Sequence, residues 1–350
     1  MSASPSTPVI PVSDSAKHAA LTTQPIAEKL HTTIVNALST PTIESLHDHK
    51  KPTENVILSP AMAEKRAAFI AGGVEKLQII ADFDRTISAF KCSNGSLCAA
   101  SHQLLESCVV ENYAAFRSTM DAINTKYFEL EISSAITEAE RASHMGDWWQ
   151  QAHDLLVQQD IKHQSIEAAV RKARTDGDLQ LRTGAREFLH TLNEHNIPCL
   201  IFSAGVKETI KVTFEQEKLF LPCMHLIGNE TFYNKDTGAL ERFDTEMITS
   251  SNKNYTHVLT MQPDYHQKSL QRRNVIVIGD NIGDANMAKG MEGIENIIRI
   301  GLLHDNVELR LEQFKAAFDV VLLGDPDMSF LHNLVKDIIS ASPKKNNQAE

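Results

Sequence analysis

Basic residues are scarce: 34 Lys and Arg stand against 45 Asp and Glu, for a net charge of -11 over 350 residues. That deficit argues against general nucleic-acid or anionic-membrane binding, which relies on basic patches, and leaves room for a phosphorylated small molecule held by a few local cations. Long apolar runs are missing too. Nothing approaches the roughly 20 residues of a membrane helix, and the amino terminus lacks the basic-then-apolar layout of a secretory signal. The expectation is a cytoplasmic protein that engages neither membrane nor nucleic acid, as a monomer or weak homo-oligomer. The five cysteines are odd in number and include no CxxC pair, which disfavours a disulfide framework or a zinc site and leaves reduced thiols as the plain reading. Arginine is absent from residues 1–50, a stretch rich in Ser, Thr, Pro and Ala. This weakens a transit-peptide reading without closing an organellar address, and the stretch is read as a disordered or flexible extension.

What is present is an α/β rhythm. Hydrophobic residues make up 42% of the chain, ample for one large domain or a domain with a sizeable insertion. An apolar run over residues 77–81 ends abruptly in Asp82 and Asp84, the pattern of a strand covered on both faces that delivers two acids to a sheet edge. In open α/β sheets chemistry sits just beyond the carboxyl ends of the strands. A helix is expected over 59–71, stopped by Gly72-Gly73, and strands over 77–83, 199–203, 225–228, 274–279, 296–300 and 319–323, with helices between them. Residues 232–240 read as a hairpin turning at Asp236-Thr237-Gly238. The fold predicted is a doubly wound, mostly parallel, Rossmann-like sheet. Between residues 91 and 183 strand signals are scarce. Thr137 and Glu140 form a capping box, and Met145, Trp148, Trp149, Ala152, Leu155 and Leu156 recur at helical spacing, so this segment reads as a helical insertion. The division expected is an extension over 1–50, a core over 51–90 and 184–340, and a helical cap over 91–183.

Four strand ends or loops offer reactive groups: Asp82 and Asp84, then Ser203, then Lys253, then Asp280 and Asp284. Phosphoryl transfer to a carboxylate needs an aspartate nucleophile, a second acid to protonate the leaving oxygen, a divalent metal, and donors for the non-bridging oxygens. Each part has a candidate. Singly, each group has a plainer account: solvated acids, helix caps for Ser203, Asp280 and Asp284, a surface lysine for Lys253. Their order and spacing together favour the chemical account.

This ordered set, Asp82-Phe83-Asp84-Arg85-Thr86, Ser203-Ala204-Gly205, Lys253 and Gly279-Asp280 with Asp284, resembles the haloacid dehalogenase superfamily of phosphohydrolases over about residues 77–334. The resemblance implies that Asp82 attacks phosphorus to form an aspartyl-phosphate, while Asp84 protonates the departing 5′-oxygen and then activates water. It implies Mg²⁺ held by Asp82, Asp280 and the backbone carbonyl of Asp84, with Asp284 supporting the metal and Thr86 bracing the loop. Ser203 and Ala204 would contact phosphate oxygens, and Lys253 would neutralise their charge.

Within the insertion a closer likeness emerges. Lys126-Tyr127-Phe128-Glu129-Leu130-Glu131, Asp147-Trp148-Trp149 and His153-Asp154-Leu155-Leu156-Val157-Gln158-Gln159, with Ile201-Phe202-Ser203-Ala204-Gly205 and Asn252-Lys253, are similar to the cytosolic 5′-nucleotidase III family. That family comprises pyrimidine 5′-nucleotidases and 7-methylguanosine-phosphate-preferring relatives. The resemblance makes Glu131 the base-binding carboxylate, which accepts from exocyclic amines or ring N–H groups, and one of the tryptophans, Trp148 foremost, a stacking face. Packing of Trp148 and Trp149 within the cap is the plainer account of the pair. Ala152 stands where pyrimidine members have serine, and Trp-Trp with alanine is closer to the 7-methylguanosine type; a methylated, cationic purine would gain roughly 0.5 to 2 kcal/mol from cation–π stacking. The substrates expected are nucleoside 5′-monophosphates, CMP and UMP first and 7-methyl-GMP close behind. A non-catalytic nucleotide-binding or regulatory protein of the same fold is the rival, opposed by the intact Asp82, Asp84, Ser203, Lys253 and Asp280. A phosphate-accepting response regulator is opposed by Asp84 and the large insertion.

Overall fold

The architecture comes from a computed structural model, which describes residues 55–132 and 135–342. The extension expected over 1–50 lies outside the described residues. The strands are β1 (Val56–Leu58), β2 (Leu77–Ala81), β3 (Cys199–Val206), β4 (Met224–Asn229), β5 (Thr231–Tyr233), β6 (Leu240–Phe243), β7 (Asn274–Gly279), β8 (Asn296–Leu303) and β9 (Val320–Leu323). The helices are α1 (Met62–Gly72), α2 (Ser101–Glu106), α3 (Tyr113–Ile132), α4 (Glu138–Val157), α5 (His163–Asp176), α6 (Ala185–Glu194), α7 (Lys207–Gln216), α8 (Tyr255–Met261), α9 (Pro263–Ser269), α10 (Val307–Ala317) and α11 (Ser329–Ala341). None of the described helices is long and apolar enough to cross a membrane.

Seven strands form one sheet in the order β1-β9-β8-β7-β2-β3-β4, parallel except where β1 runs antiparallel to β9. The expected doubly wound sheet is therefore the observed one. The strand β1 is absent from the sequence reading because three residues are too few to display a period.

The apolar run of β2 is buried at every position because it lies in mid-sheet with helices on both faces. Leu77, Ile79 and Ala81 join Phe69 of α1, Phe188 and Leu192 of α6, Phe214 of α7 and Leu331 and Val335 of α11 in one layer. Ile80, on the opposite face, joins Phe202, Val275 and Val277 with Tyr255 and Tyr265 of α8 and α9. Gln78 is the polar member of that second face, and it is satisfied there: Tyr265 Oη donates to Gln78 Oε1 at 2.6 Å, and Gln78 Nε2 donates to the Arg272 carbonyl. Burying some thirty apolar side chains on the first face alone fixes the strand ends that carry the site.

Residues between Phe90 and Thr183 contribute the four helices α2 to α5, and Thr137 Oγ1 accepts from Glu140 N at 3.2 Å as the capping box predicts. The buried cluster they form, with Leu104, Phe116, Ala152, Leu156, Ile166 and Val170, also takes in Val206 of β3, Val212 of α7 and Leu240 and Phe243 of β6. The β5–β6 hairpin, found where the sequence predicts one, thus packs into the same cluster as the insertion's helices. Its turn forms at Asn234–Gly238, where Asn234 Oδ1 accepts the Asp236 and Thr237 N–H groups at 2.9 Å and Gly238 adopts φ 69°.

Candidate active site

Parallel pairing of Ala81 with Ile278 on one side and Ile201 on the other brings the residues after β2, β7 and β3 to one edge of the sheet. Asp82 prolongs the ladder by one bond, its N–H donating to Ile278 O at 2.9 Å. The chain then turns sharply, with Asp84 at ψ 124° and Arg85 at φ 59° in the left-handed region. A non-glycine residue there needs support. It comes from Arg182, buried in its own right, which donates from Nε to Thr86 O (2.7 Å), from Nη2 to Arg85 O (2.5 Å) and from Nη1 to Asp325 Oδ1 (2.6 Å) and Pro326 O (2.7 Å). His304 Nε2 adds a 2.8 Å contact to Arg85 O. The Thr86 hydroxyl is buried without a partner, while its carbonyl is tied down.

Lys253 enters this edge as a buried cation. Its Nζ donates to Asp82 Oδ1 at 2.7 Å and to Asp284 Oδ1 at 2.6 Å, and its side chain is 2% exposed. The loop carrying it is tied at both ends: Asn252 Oδ1 accepts from Thr249 N at 2.7 Å, and Asn252 Nδ2 donates to Met247 O at 2.8 Å. Asn229, at the end of β4, joins this loop to the one after β3 by donating to Ala204 O at 2.6 Å and Ile248 O at 2.9 Å.

Asp284 lies on a single turn of 3₁₀ helix (Ile282–Asn286), shorter than the helix expected after Gly283, and its Oδ2 accepts from Asn281 N at 2.9 Å. It approaches so closely that a Cβ at Gly279 would lie 2.2 Å from that oxygen, so only glycine fits. Carboxylate oxygens of Asp82, Asp280 and Asp284 all fall within 4.8 Å of one another. Burial pushes the Asp82 carboxyl well up against the pull of Lys253, and burial with the Asp284 charge lifts Asp280 to about 7. Burial also opposes the charge on Lys253, but Asp284 and Asp82 outweigh it and raise the amine. Three crowded hard oxygen donors with surplus negative charge are the donor set a Mg²⁺ ion takes.

Asp84 is turned toward the insertion. Ser101, the first residue of α2, donates to it twice, from N to Oδ1 at 2.8 Å and from Oγ to Oδ2 at 2.5 Å, and Ser101 Oγ in turn accepts from Val206 N at 3.2 Å. Burial raises the Asp84 carboxyl, and the two Ser101 bonds oppose the rise. Gly205 lies against this pair: a Cβ there would stand 1.9 Å from Ser101 Oγ and 2.8 Å from Asp84 Oδ2. Ser203 is buried, its Oγ accepting from Gly205 N at 2.9 Å.

The structure thus brings Asp82, Asp84, Ser203, Ala204, Lys253, Asp280 and Asp284 to one sheet edge, with Thr86 in the turn behind. Glu131 falls near the end of α3, and its side chain lies outside the described residues. Trp148 and Trp149 are both half-buried on α4 but face different neighbours. Trp148 Nε1 donates to Asn124 Oδ1 at 2.9 Å and its ring stacks near Tyr127, both on α3. Trp149 leans on His102 of α2 at 4.1 Å between ring centres, one residue from Ser101. Ala152 is buried within the insertion. Sequence reasoning passed over Ser101, Arg182, Asn229 and His102, which act through contacts from 17 to 144 residues away along the chain and bear no local signature.

A mostly parallel sheet with two aspartates after its central strand, a buried lysine on the first of them and an acidic pair after the next strand defines a phosphohydrolase of the haloacid dehalogenase type. The solved structure of cytosolic 5′-nucleotidase IIIB bound to cytidine superposes on 88% of this chain and 97% of its own with a TM-score of 0.72 at 27% identity. The human 7-methylguanosine phosphate-specific 5′-nucleotidase is 36% identical over 268 residues, 77% of this chain and 86% of the human protein. Its Drosophila melanogaster namesake is 31% identical over 283 residues, 80% of this chain and 85% of that one. The family model for pyrimidine 5′-nucleotidase (UMPH-1) matches residues 85–339, and the chain belongs to that family.

Proposed function

We propose that this 5′-nucleotidase hydrolyses nucleoside 5′-monophosphates, CMP and UMP foremost, through an aspartyl-phosphate on Asp82. The observation that carries the reading is Lys253 Nζ seated between Asp82 and Asp284, beside an Asp84 held on Ser101. An Asp82 oxygen attacks phosphorus as the bond to the 5′-oxygen breaks, and Asp84 gives its proton to that oxygen. Asp84 then takes a proton from water, whose oxygen attacks phosphorus and frees the Asp82 carboxylate. Lys253 and Ser203, with the Ala204 backbone, hold the non-bridging oxygens. Asp82, Asp280 and the Asp84 carbonyl, backed by Asp284, would hold Mg²⁺, which when bound neutralises charge on the transferring phosphoryl group.

Residues 91–183 with the β5–β6 hairpin act as the cap that selects the base, through Glu131, Trp148 and Ala152. Trp149 joins them because it faces α2, which also holds Asp84. A second reading, preference for 7-methyl-GMP, is favoured by the names of the human and Drosophila relatives and by the Trp-Trp-Ala sequence of the cap. The cytoplasm is the compartment in keeping with the Caenorhabditis elegans relative called putative cytosolic 5′-nucleotidase 3.

Phosphate release from CMP, UMP, 7-methyl-GMP and purine monophosphates, measured with Mg²⁺ and with chelator, tests all of this. The expected result is turnover that needs Mg²⁺, with CMP and UMP showing the highest kcat/KM. A 7-methyl-GMP maximum establishes the second reading, and no release from any nucleotide makes the chain a binding protein. Glu131→Gln should re-rank the bases while leaving an aryl phosphate unaffected.

A further inference from the structure

The chain enters the insertion just after the Asp82 turn and leaves it just before Arg182, and these two crossings lie side by side. Ser88 pairs with Leu181, Ala89 N–H donates to Gln180 O at 2.9 Å, and Ala99 N–H donates to Asp178 O at 2.7 Å. Between them residues 90–98 form a small hairpin closed by the Lys91–Leu97 pair, with Cys98 N on Phe90 O and Cys92 N on Ser96 O, both 2.9 Å. Lys91 and Leu97 are exposed, so alternation turns Cys92 and Cys98 to the inner face, diagonally opposed across the ladder. Their sulfurs are 3.3 Å apart.

Cys98 is also the point where the two crossings meet, since its Sγ accepts from Gln180 N at 3.1 Å and donates to Gln180 O at 3.5 Å. Three residues on, Ser101 grips Asp84. The sulfur pair is thus joined by a short, tied segment to the side chain that holds Asp84.

We propose that Cys92 and Cys98 are a redox modification site: a low-molecular-weight disulfide such as glutathione disulfide converts them to a reversible disulfide that lowers turnover by shifting Ser101. The nucleotidase reading bears only on the size of that activity change. Two exchanges complete the conversion. The Cys92 sulfur, itself buried but followed directly by the exposed tip 93–97, reaches the reagent as that tip opens and attacks it; the reagent's S–S bond breaks, a mixed disulfide forms and the first reduced thiol leaves. The Cys98 sulfur then attacks the Cys92 sulfur, closing from 3.3 Å to the ~2.0 Å of a disulfide, and the second reduced thiol leaves. Both cysteine protons end on the released thiols; the cysteines are oxidised and the reagent is reduced. Burial pushes the Cys98 thiol up to about 12, which slows this closing step, while the contact distance gives it a high effective concentration. The bond is therefore slow to form, and the mixed disulfide closes in preference to persisting.

The test incubates the reduced full chain with glutathione disulfide, traps free thiols with N-ethylmaleimide and maps the digest by mass spectrometry alongside CMP hydrolysis. The expected result is a peptide bridging Cys92 and Cys98, with turnover lowered about tenfold by the displaced carboxyl and restored by dithiothreitol. Cys92→Ser should keep the reduced rate and resist the oxidant. Absence of the bridged peptide overturns the proposal, and so does a bridged protein with unchanged turnover. The mass readout is independent of substrate, so it stands even if the nucleotide panel fails.

Discussion

The sheet edge and the lining of the insertion both bury titratable side chains, and they settle the charge in opposite ways. At the edge, Lys253 keeps its proton between two carboxylates, and the acids around it are raised by burial and by one another. In the insertion, His102 and His153 face each other with Nε2 atoms 3.2 Å apart, and burial lowers both, His153 to about 3, so both are neutral at physiological pH. His153 lies flat on Phe243 at 3.6 Å, and Trp149 leans on His102. The edge gathers opposed charges; the insertion packs flat, uncharged rings against one another. Edge distances are set by backbone and ion pairs, whereas the lining is set by packing, which tolerates exchange of shape. Changes at the edge should therefore stop the chemistry, and changes in the lining should redirect it.

The largest effect is expected at Asp82. Asp82→Asn should lower kcat about 10⁴-fold or more, because the proposed covalent step runs through this carboxylate, while nucleotide binding stays measurable by calorimetry. Retained turnover would put the nucleophile elsewhere. Lys253→Met comes next, with kcat/KM lower by about 10²- to 10³-fold from lost stabilisation of charge. Without the cation the crowded carboxylates repel, so the variant should melt well below the parent in chelator and regain stability with Mg²⁺, which thermal scans in both conditions would reveal. A melting temperature indifferent to Mg²⁺ would detach the metal from this cluster.

The same contrast governs what was legible in the sequence. Asp82, Asp84, Ser203, Asp280 and Asp284 could be picked out because each follows a strand or sits at a fixed step from one, and strand ends in a parallel sheet converge, whereas Lys253, in a loop without a strand signal, was legible only as a member of the ordered set. The supports of those groups could not. Ser101, Arg182 and Asn229 carry no local signature, since their partners are distant in the chain. The capture of the β5–β6 hairpin by the insertion was hidden for the same reason: alternation reveals a hairpin but not which core it covers. The different neighbours of Trp148 and Trp149 were likewise invisible to spacing, which puts both on one helix without saying what each meets.

Smaller effects are expected where the edge meets the insertion. Gly205→Ala forces a Cβ into the space of Ser101 Oγ, 1.9 Å away, and should cut kcat by about 10²-fold with little change in KM. Ser101→Ala is milder, about tenfold, since the Ser101 N–H to Asp84 survives and only one donor is lost. Its pH profile is the sharper readout. The lost hydroxyl bond was lowering the Asp84 pKa, so the variant's carboxyl titrates higher. As general acid Asp84 works protonated, and activity falls as pH rises through its pKa; the alkaline limb of the profile should therefore move to higher pH. A shift to lower pH would remove Asp84 from the acid role.

The smallest effects separate the two tryptophans. Trp149→Ala removes the ring leaning on His102 and should raise the KM for nucleotides about tenfold, a base-stacking loss, while sparing an aryl phosphate that has no base to stack. Trp148→Phe keeps an aromatic face toward Tyr127 but loses the N–H to Asn124, which should cost about 1 kcal/mol of stability in denaturant titrations. Its ranking of CMP, UMP and 7-methyl-GMP should shift less than that of Trp149→Ala, because an aromatic ring remains at position 148 and the ring that faces α2 is intact. If Trp148→Phe re-ranks the bases as strongly as Trp149→Ala does, then the two rings act as one stacked platform, consistent with their 16° interplanar angle, and the lining is a single surface rather than a wall and a brace.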